Sequence, residues 1–205
     1  MTTTAGGGEP FSLGVIVEGH GDELAVPIVI RRIAGRVDPT RRVGIKTLRV
    51  PRNLVVKEGQ LERYVELASR QIRTSGAILV VLDADDDCAA TLGRDLLGRC
   101  VAARGDRQHA VVFAVKEFEC WFLAAASSIA GHRGLPDDLE SPSEPENFQG
   151  AKGWLKRKRT DGRSYGETID QPALAQVFDL DAARANAPSF DKLWRDVERL
   201  MNVSP

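Results

Sequence analysis

Ala77 to Asp87 reads AILVVLDADDD, and Leu13 to Glu23 reads LGVIVEGHGDE. Each opens on a short apolar run, rich in β-branched residues and without helical period, which is the signature of a buried strand. Each run then ends abruptly in acid. Working outward, Ile45–Val50 and Ala110–Val115 read as two further strands. Between them lie amphipathic segments at Asp22–Ile33, Glu58–Arg73 and Leu92–Val101, with Pro27 tolerable only if it falls near a helix's first turn. The alternation β-α-β-α-β-α-β predicts an α/β fold: a four-stranded, mostly parallel sheet with helices on both faces.

Beyond Lys116 the pattern changes. Phe118–Ile129 is apolar and Ala-rich and reads as helix, Gly131–Asn147 as a loop with three prolines and five acids, and Ala151–Arg159 as a basic helix. Ser189 reads as an N-cap, followed by Phe190, Leu193, Trp194, Val197, Leu200 and Met201 on one helical face. The expected organisation is a flexible tail over residues 1–10, an α/β core over 11–125, and a helical C-terminal extension over 126–205. The extension packs on the core as part of one compact domain.

Composition narrows the function classes. In 205 residues, 28 Lys+Arg against 29 Asp+Glu leave a formal net charge of -1, so bulk charge points to no polyanionic partner. Three cysteines (Cys88, Cys100, Cys120) form no CxxC pair and no zinc spacing, which fits reduced thiols in the cytoplasm. No apolar stretch is long enough to span a bilayer, and the N-terminus lacks the apolar segment of a signal peptide.

Ligands of open parallel sheets gather at the carboxyl ends of the strands. Strand one ends in Glu18-Gly19-His20-Gly21-Asp22, strand three in Asp83-Ala84-Asp85-Asp86-Asp87, and strand four in Lys116-Glu117-Phe118-Glu119. Carboxylates so crowded either hold protons or recruit a cation. In extended backbone, residues two apart point the same way, so Asp83 and Asp85 are expected to share one metal shell. All-oxygen donors favour Mg²⁺ or Mn²⁺ over zinc. The GHG after strand one is not a dinucleotide fingerprint, because Leu24 stands at the third glycine position, and no GxxxxGK[ST] is present. His20 reads as a solvated loop residue, and Trp121 and Phe122 as core aromatics.

VIVEGHGDE (Val15–Glu23) and VVLDADDD (Val80–Asp87), in this order and these strand contexts, resemble the Toprim domain. That metal-binding catalytic fold is shared by topoisomerases, primases, small ribonucleases and old-family nucleases. The resemblance covers roughly Leu13 to Val115. KEFECWFLA (Lys116–Ala124) and SFDKL (Ser189–Leu193) further resemble short bacterial Toprim-like proteins often encoded beside ATPases. The resemblance implies Glu18 as general acid/base or metal ligand, Asp83 and Asp85 as the Mg²⁺-holding pair, and Asp22 as a second acid of nuclease-type members. Asp87 and Glu119 are further candidate metal ligands, and Lys116 a candidate to neutralise a phosphate oxygen. The chain lacks a topoisomerase's DNA gate and a primase's zinc ribbon. The expectation that remains is a Toprim-type nuclease, acting on DNA ahead of RNA, with a separate ATPase as partner. A structured-RNA ribonuclease and a non-catalytic metal-binding adaptor for an ATPase are the alternatives.

Charge is segregated along the chain. Arg31 to Arg52 holds eight Lys/Arg against one acid, and Ala151 to Arg163 holds six against one. Nucleic-acid contacts are therefore expected at Arg49, Arg52, Lys156, Arg157, Lys158 and Arg159.

Overall fold

The computed structural model describes residues 11–73 and 75–202; the tail expected over residues 1–10 lies outside them. Four strands, β1 (Phe11–Val17), β2 (Val43–Arg49), β3 (Ala77–Asp83) and β4 (Gln108–Ala114), form one sheet in the order β2-β1-β3-β4. Every neighbouring pair is parallel, so the sheet is wholly rather than mostly parallel. The connections are α1 (His20–Val37), α2 (Arg52–Val55) with α3 (Gln60–Gln71), and α4 (Ala89–Ala103). Then follow α5 (Glu119–Ala124), α6 (Ala151–Lys158), α7 (Glu167–Val177), α8 (Leu180–Asn186) and α9 (Pro188–Met201). Among the described residues no helix is long and apolar enough to cross a membrane.

Strand pleating divides the core. Leu13, Val15 and Val17 of β1 and Leu79 and Val81 of β3 face a cluster that includes α1, α5, α7, α8 and α9. Ile16, Ile78, Val80 and Leu82 face the other way, onto α3 and α4. Chain travel explains the split. From β1 the chain steps one way to β2, and from there it returns across β1 to β3 and β4. Right-handed crossovers place helices on opposite faces when the direction reverses. The reversal puts the topological switch point, where open sheets bind ligands, between β1 and β3.

Three local expectations need correction. Pro27 lies inside α1 rather than in its first turn. Burial of Ala25, Val26, Val29, Ile30 and Ile33 along that helix offsets the roughly 3 kcal/mol that an interior proline costs. Ser189 is not the cap of the last helix: Ala187 is, with Pro188 in the first turn. The Ser189 hydroxyl instead accepts a hydrogen bond from Trp121 Nε1 at 2.8 Å, and its N–H donates to Glu146 at 2.8 Å. The segment expected as one helix over Phe118–Ile129 is α5 followed by a 3₁₀ turn at Ala126–Ile129. Helices α7 and α8 were not legible, because α7 carries Pro172 and few large apolar residues; α7 nonetheless runs along α1 as its main partner.

The C-terminal helices join the sheet through aromatic packing. Phe178 is fully buried, edge-on to Phe122 at 5.2 Å and to Phe190 at 5.6 Å, beneath the Arg32 guanidinium. Phe178→Ala is expected to cost about 3–5 kcal/mol, read as a lower denaturant midpoint with an unchanged slope. A loss below about 1 kcal/mol would show that these helices do not share the cooperative core.

Candidate functional site

The exit of β1 is built around Asp22. Its Oδ2 accepts from the Gly19 N–H at 2.9 Å, closing the turn into α1, and its Oδ1 accepts from Gln171 Nε2 of α7 at 2.7 Å. Both glycines of the EGHGD stretch are explained by this packing. A Cβ on Gly19 would lie 2.8 Å from Asp22 Oδ2, and a Cβ on Gly21 would lie 1.8 Å from Gln171 Oε1. They serve close approach within the protein, and Asp22, expected as a catalytic acid, positions α7 against the strand end.

At the switch point lies a cleft of about 300 Å³ lined by Glu18, Asp22, Arg49, Arg52, Asp83 and Lys152, with Glu167 at its edge. Asp83 ends β3, and its Oδ1 accepts from the Phe118 N–H at 2.9 Å. Burial raises its carboxyl well above the usual range, and the charges of Asp22 and Glu119 add to this. Glu18 has one oxygen, Oε2, that is buried without a hydrogen-bond partner, 3.8 Å from Arg52 Nη1. Burial raises its pKa; Arg52 partly offsets this, while Asp85 and Asp22 reinforce it.

Glu119, on α5, is fully buried. Its Oε1 accepts from the Tyr165 hydroxyl at 3.1 Å, and its Oε2 has no hydrogen-bond partner. Burial pushes this carboxyl up to about 8, although Lys152 pulls the other way. Lys152 Nζ stands 3.2 Å from Glu167 and 3.9 Å from Glu119. Burial works against its ammonium, yet Glu119, Asp83 and Glu167 together raise its pKa. Glu117 holds α6 in place by accepting from the Lys152 N–H at 2.9 Å.

The acidic turn after β3 departs from expectation. The strand ends at Asp83, Ala84 turns into the core, and Asp85 is exposed with a φ of 50°. Asp85 therefore does not point with Asp83 as extended backbone would have it, although its charge still reaches Glu18. Asp87 is exposed and paired with Arg52 Nη2 at 2.5 Å. Lys116 is paired with Asp86 at 3.0 Å and does not line the cleft. Arg52 is committed to carboxylates and to the Asp83 carbonyl, and Arg49 faces the cleft. Lys156, Arg157 and Lys158 are exposed in the last turn of α6, outside the cleft lining, with Lys158 over the Trp154 ring. Arg159 is buried against Asp161 and Asp170 and is a structural residue, not a surface contact.

The site thus gathers Glu18, Asp22, Asp83 and Glu119 from three strand ends, with Arg49 and Arg52 beside them. Sequence reasoning missed Lys152, Gln171, Tyr165 and Glu167. Lys152 was seen only as one charge of the 151–163 basic block, and no local pattern marks the other three; all four lie more than 30 residues beyond the last strand. Among the described residues no three His, Cys, Asp or Glu side chains stand close enough to enclose an ion. The donor chemistry suits a hard divalent cation nonetheless: all donors are oxygens, and two buried carboxylate oxygens lack partners. Positive charge among these acids is supplied by Arg52 and Lys152.

A family model described as a domain of unknown function, DUF4276, matches residues 17–198. The chain belongs to this family. The match takes in every cleft residue from Glu18 to Glu167, so the family's span contains the acids and the lysine alike. No curated protein and no solved structure matches the chain.

Two measurements test this geometry. Alanine is normally a better helix former than glycine by about 1 kcal/mol, yet Gly21→Ala is expected to destabilise by about 1–3 kcal/mol. In a Gln171→Ala background the same change should cost far less. The second test uses Glu119. Between about pH 4.5 and pH 8 the folded protein keeps a proton on this carboxyl that the unfolded chain releases. That contribution is full below the lower value and is lost as pH rises, so Glu119→Gln should gain melting temperature relative to wild type from pH 5 to pH 8. Parallel curves would contradict the assignment.

Proposed function

We propose that the protein is a metal-dependent phosphodiesterase acting on nucleic acid, a nuclease of Toprim type. The observation that carries this reading is the cleft itself. Glu18, with one buried and unpartnered oxygen, and Asp83 meet basic side chains at the switch point of a parallel sheet. A nuclease of this kind needs both signs of charge, acids to hold a cation and bases to hold a phosphate.

In this reading Asp83 and Glu18 would hold Mg²⁺ or Mn²⁺, while Asp85 and Asp87 on the adjoining turn stay outside the cleft lining. The chemistry such an ion would supply is neutralisation of charge on the phosphate, which would favour attack by water. Glu18 lines the cleft with its side chain about a quarter exposed, and it takes a proton from the attacking water. Lys152 supplies a fixed positive charge for a phosphate oxygen, and Arg49 orients the backbone from the β2 side. Glu167 and Glu119, the latter bound by Tyr165, hold Lys152, and Asp22 and Gln171 keep the β1 exit in place. DNA is the leading substrate, the compartment is the cytoplasm, and a separate ATPase is the partner that the Toprim resemblance brings.

The test is cleavage of single- and double-stranded DNA and RNA by the purified protein in Mg²⁺ or Mn²⁺, alone and with any ATPase encoded beside it. DNA cleavage is expected, reduced at least about 100-fold by Glu18→Gln and by Asp83→Ala. Cleavage that survives both substitutions would overturn the assignment. Mn²⁺ binding by calorimetry without turnover under any condition would favour the adaptor instead, and preference for folded RNA the ribonuclease.

A further inference from the structure

β2 is an edge strand: it pairs with β1 and leaves its other side open. Where that strand begins lies a groove of about 560 Å³, lined by Ser12 of β1, Arg31 of α1, Gly44 and Lys46 of β2, Arg70 of α3 and Arg73 just beyond that helix. Basic side chains thus converge from three elements, and no Asp or Glu lines the groove.

Ion pairing elsewhere makes this arrangement informative. Arg36, Arg99, Arg104, Arg133, Arg159 and Arg184 each pair with a carboxylate, and in the groove Arg70 pairs with Glu66 at 2.9 Å. Arg31 and Lys46 are exposed and, among the described residues, have no carboxylate within ion-pair distance, as is also true of Arg49. A lone lysine on an edge strand is a common guard against unwanted strand pairing. Such a guard does not require arginines from both flanking helices.

The strand also connects two places. Lys46 lies in the groove on the α3 face of the strand. Arg49, three residues on and so on the α1 face that also carries Arg31, lines the cleft that holds Glu18 and Asp83. A backbone passing from one to the other therefore crosses the open edge. At about 3.3 Å per residue these two positions are about 10 Å apart, close to the rise of three nucleotide steps in a duplex strand. We infer that the β2-edge groove is a binding track for the phosphodiester backbone of nucleic acid, leading it past Arg31 and Lys46 to the cleft. The inference rests on the nuclease reading of that cleft and extends it to a surface outside the catalytic residues.

The experiment measures oligonucleotide binding by fluorescence anisotropy across a salt series, with Asp83→Ala as the non-cleaving background. Adding Arg31→Ala and Lys46→Ala is expected to weaken binding about tenfold or more. The slope of log affinity against log salt should fall by about two, one for each phosphate that the variant no longer neutralises. Melting temperature serves as the folding control, and Arg94→Ala, on the exposed face of α4, should leave affinity and slope unchanged. Unchanged affinity and slope in the double variant, with the background protein still binding, would overturn the track and leave the cleft reading intact. Absence of any nucleic-acid binding by the wild type would overturn both. Polyglutamate of matched charge binding as tightly, with the same dependence on Arg31 and Lys46, would show that the groove takes an acidic protein instead.

Discussion

Gln171 reaches from α7 through the gap that Gly21 leaves and donates to Asp22, which is already bound to the Gly19 N–H. This buried contact joins the first strand's exit to a helix 149 positions along the chain. The rest of the site depends on it. Seating α7 against α1 places Glu167 at the cleft and brings Tyr165, just before the helix, onto Glu119. Without that seat, the acids of β1 and β3 would face open solvent, where their oxygens hydrate and their pKa values relax.

The cleft shows how a near-neutral protein holds strongly opposed charges. Glu18, Asp83 and Glu119 are each driven toward the protonated state by burial, and Lys152 and Arg52 offset part of that cost. Structural pairs elsewhere absorb much of the remaining charge, as at Asp170, which holds both Arg133 and Arg159. What is left is a cleft in which acids and cations stand side by side. The near-zero net charge of the chain is a sum over these regions and describes none of them.

The strands were legible because each is a β-branched run long enough to cross the sheet and too short to confuse with a helix. Their ends were legible as well, since Glu18, Asp22, Asp83 and Glu119 all stand where a parallel sheet presents its ligand site. Reading failed wherever a side chain's direction depends on a turn. Extended backbone would set Asp85 beside Asp83, but the strand stops at Asp83 and the left-handed backbone at Asp85 sends its carboxylate to solvent. Ser189 has a cap's composition, yet Trp121 and Glu146 claim it because the preceding proline starts the helix. The basic block at the end of α6 likewise divides into an exposed part and the buried Arg159.

By itself, then, the sequence determined the sheet, its parallel sense and the acids at its rim, since apolar periodicity and strand-end position are local properties of the chain. Only the tertiary structure decided which bases face those acids. The basic pattern of α6 does not single out Lys152, and that of α7 says nothing of Gln171; both reach the site because α6 and α7 fold back over the β1–β3 switch point. Partners so distant in sequence are selected by packing, and packing is a property of the assembled core.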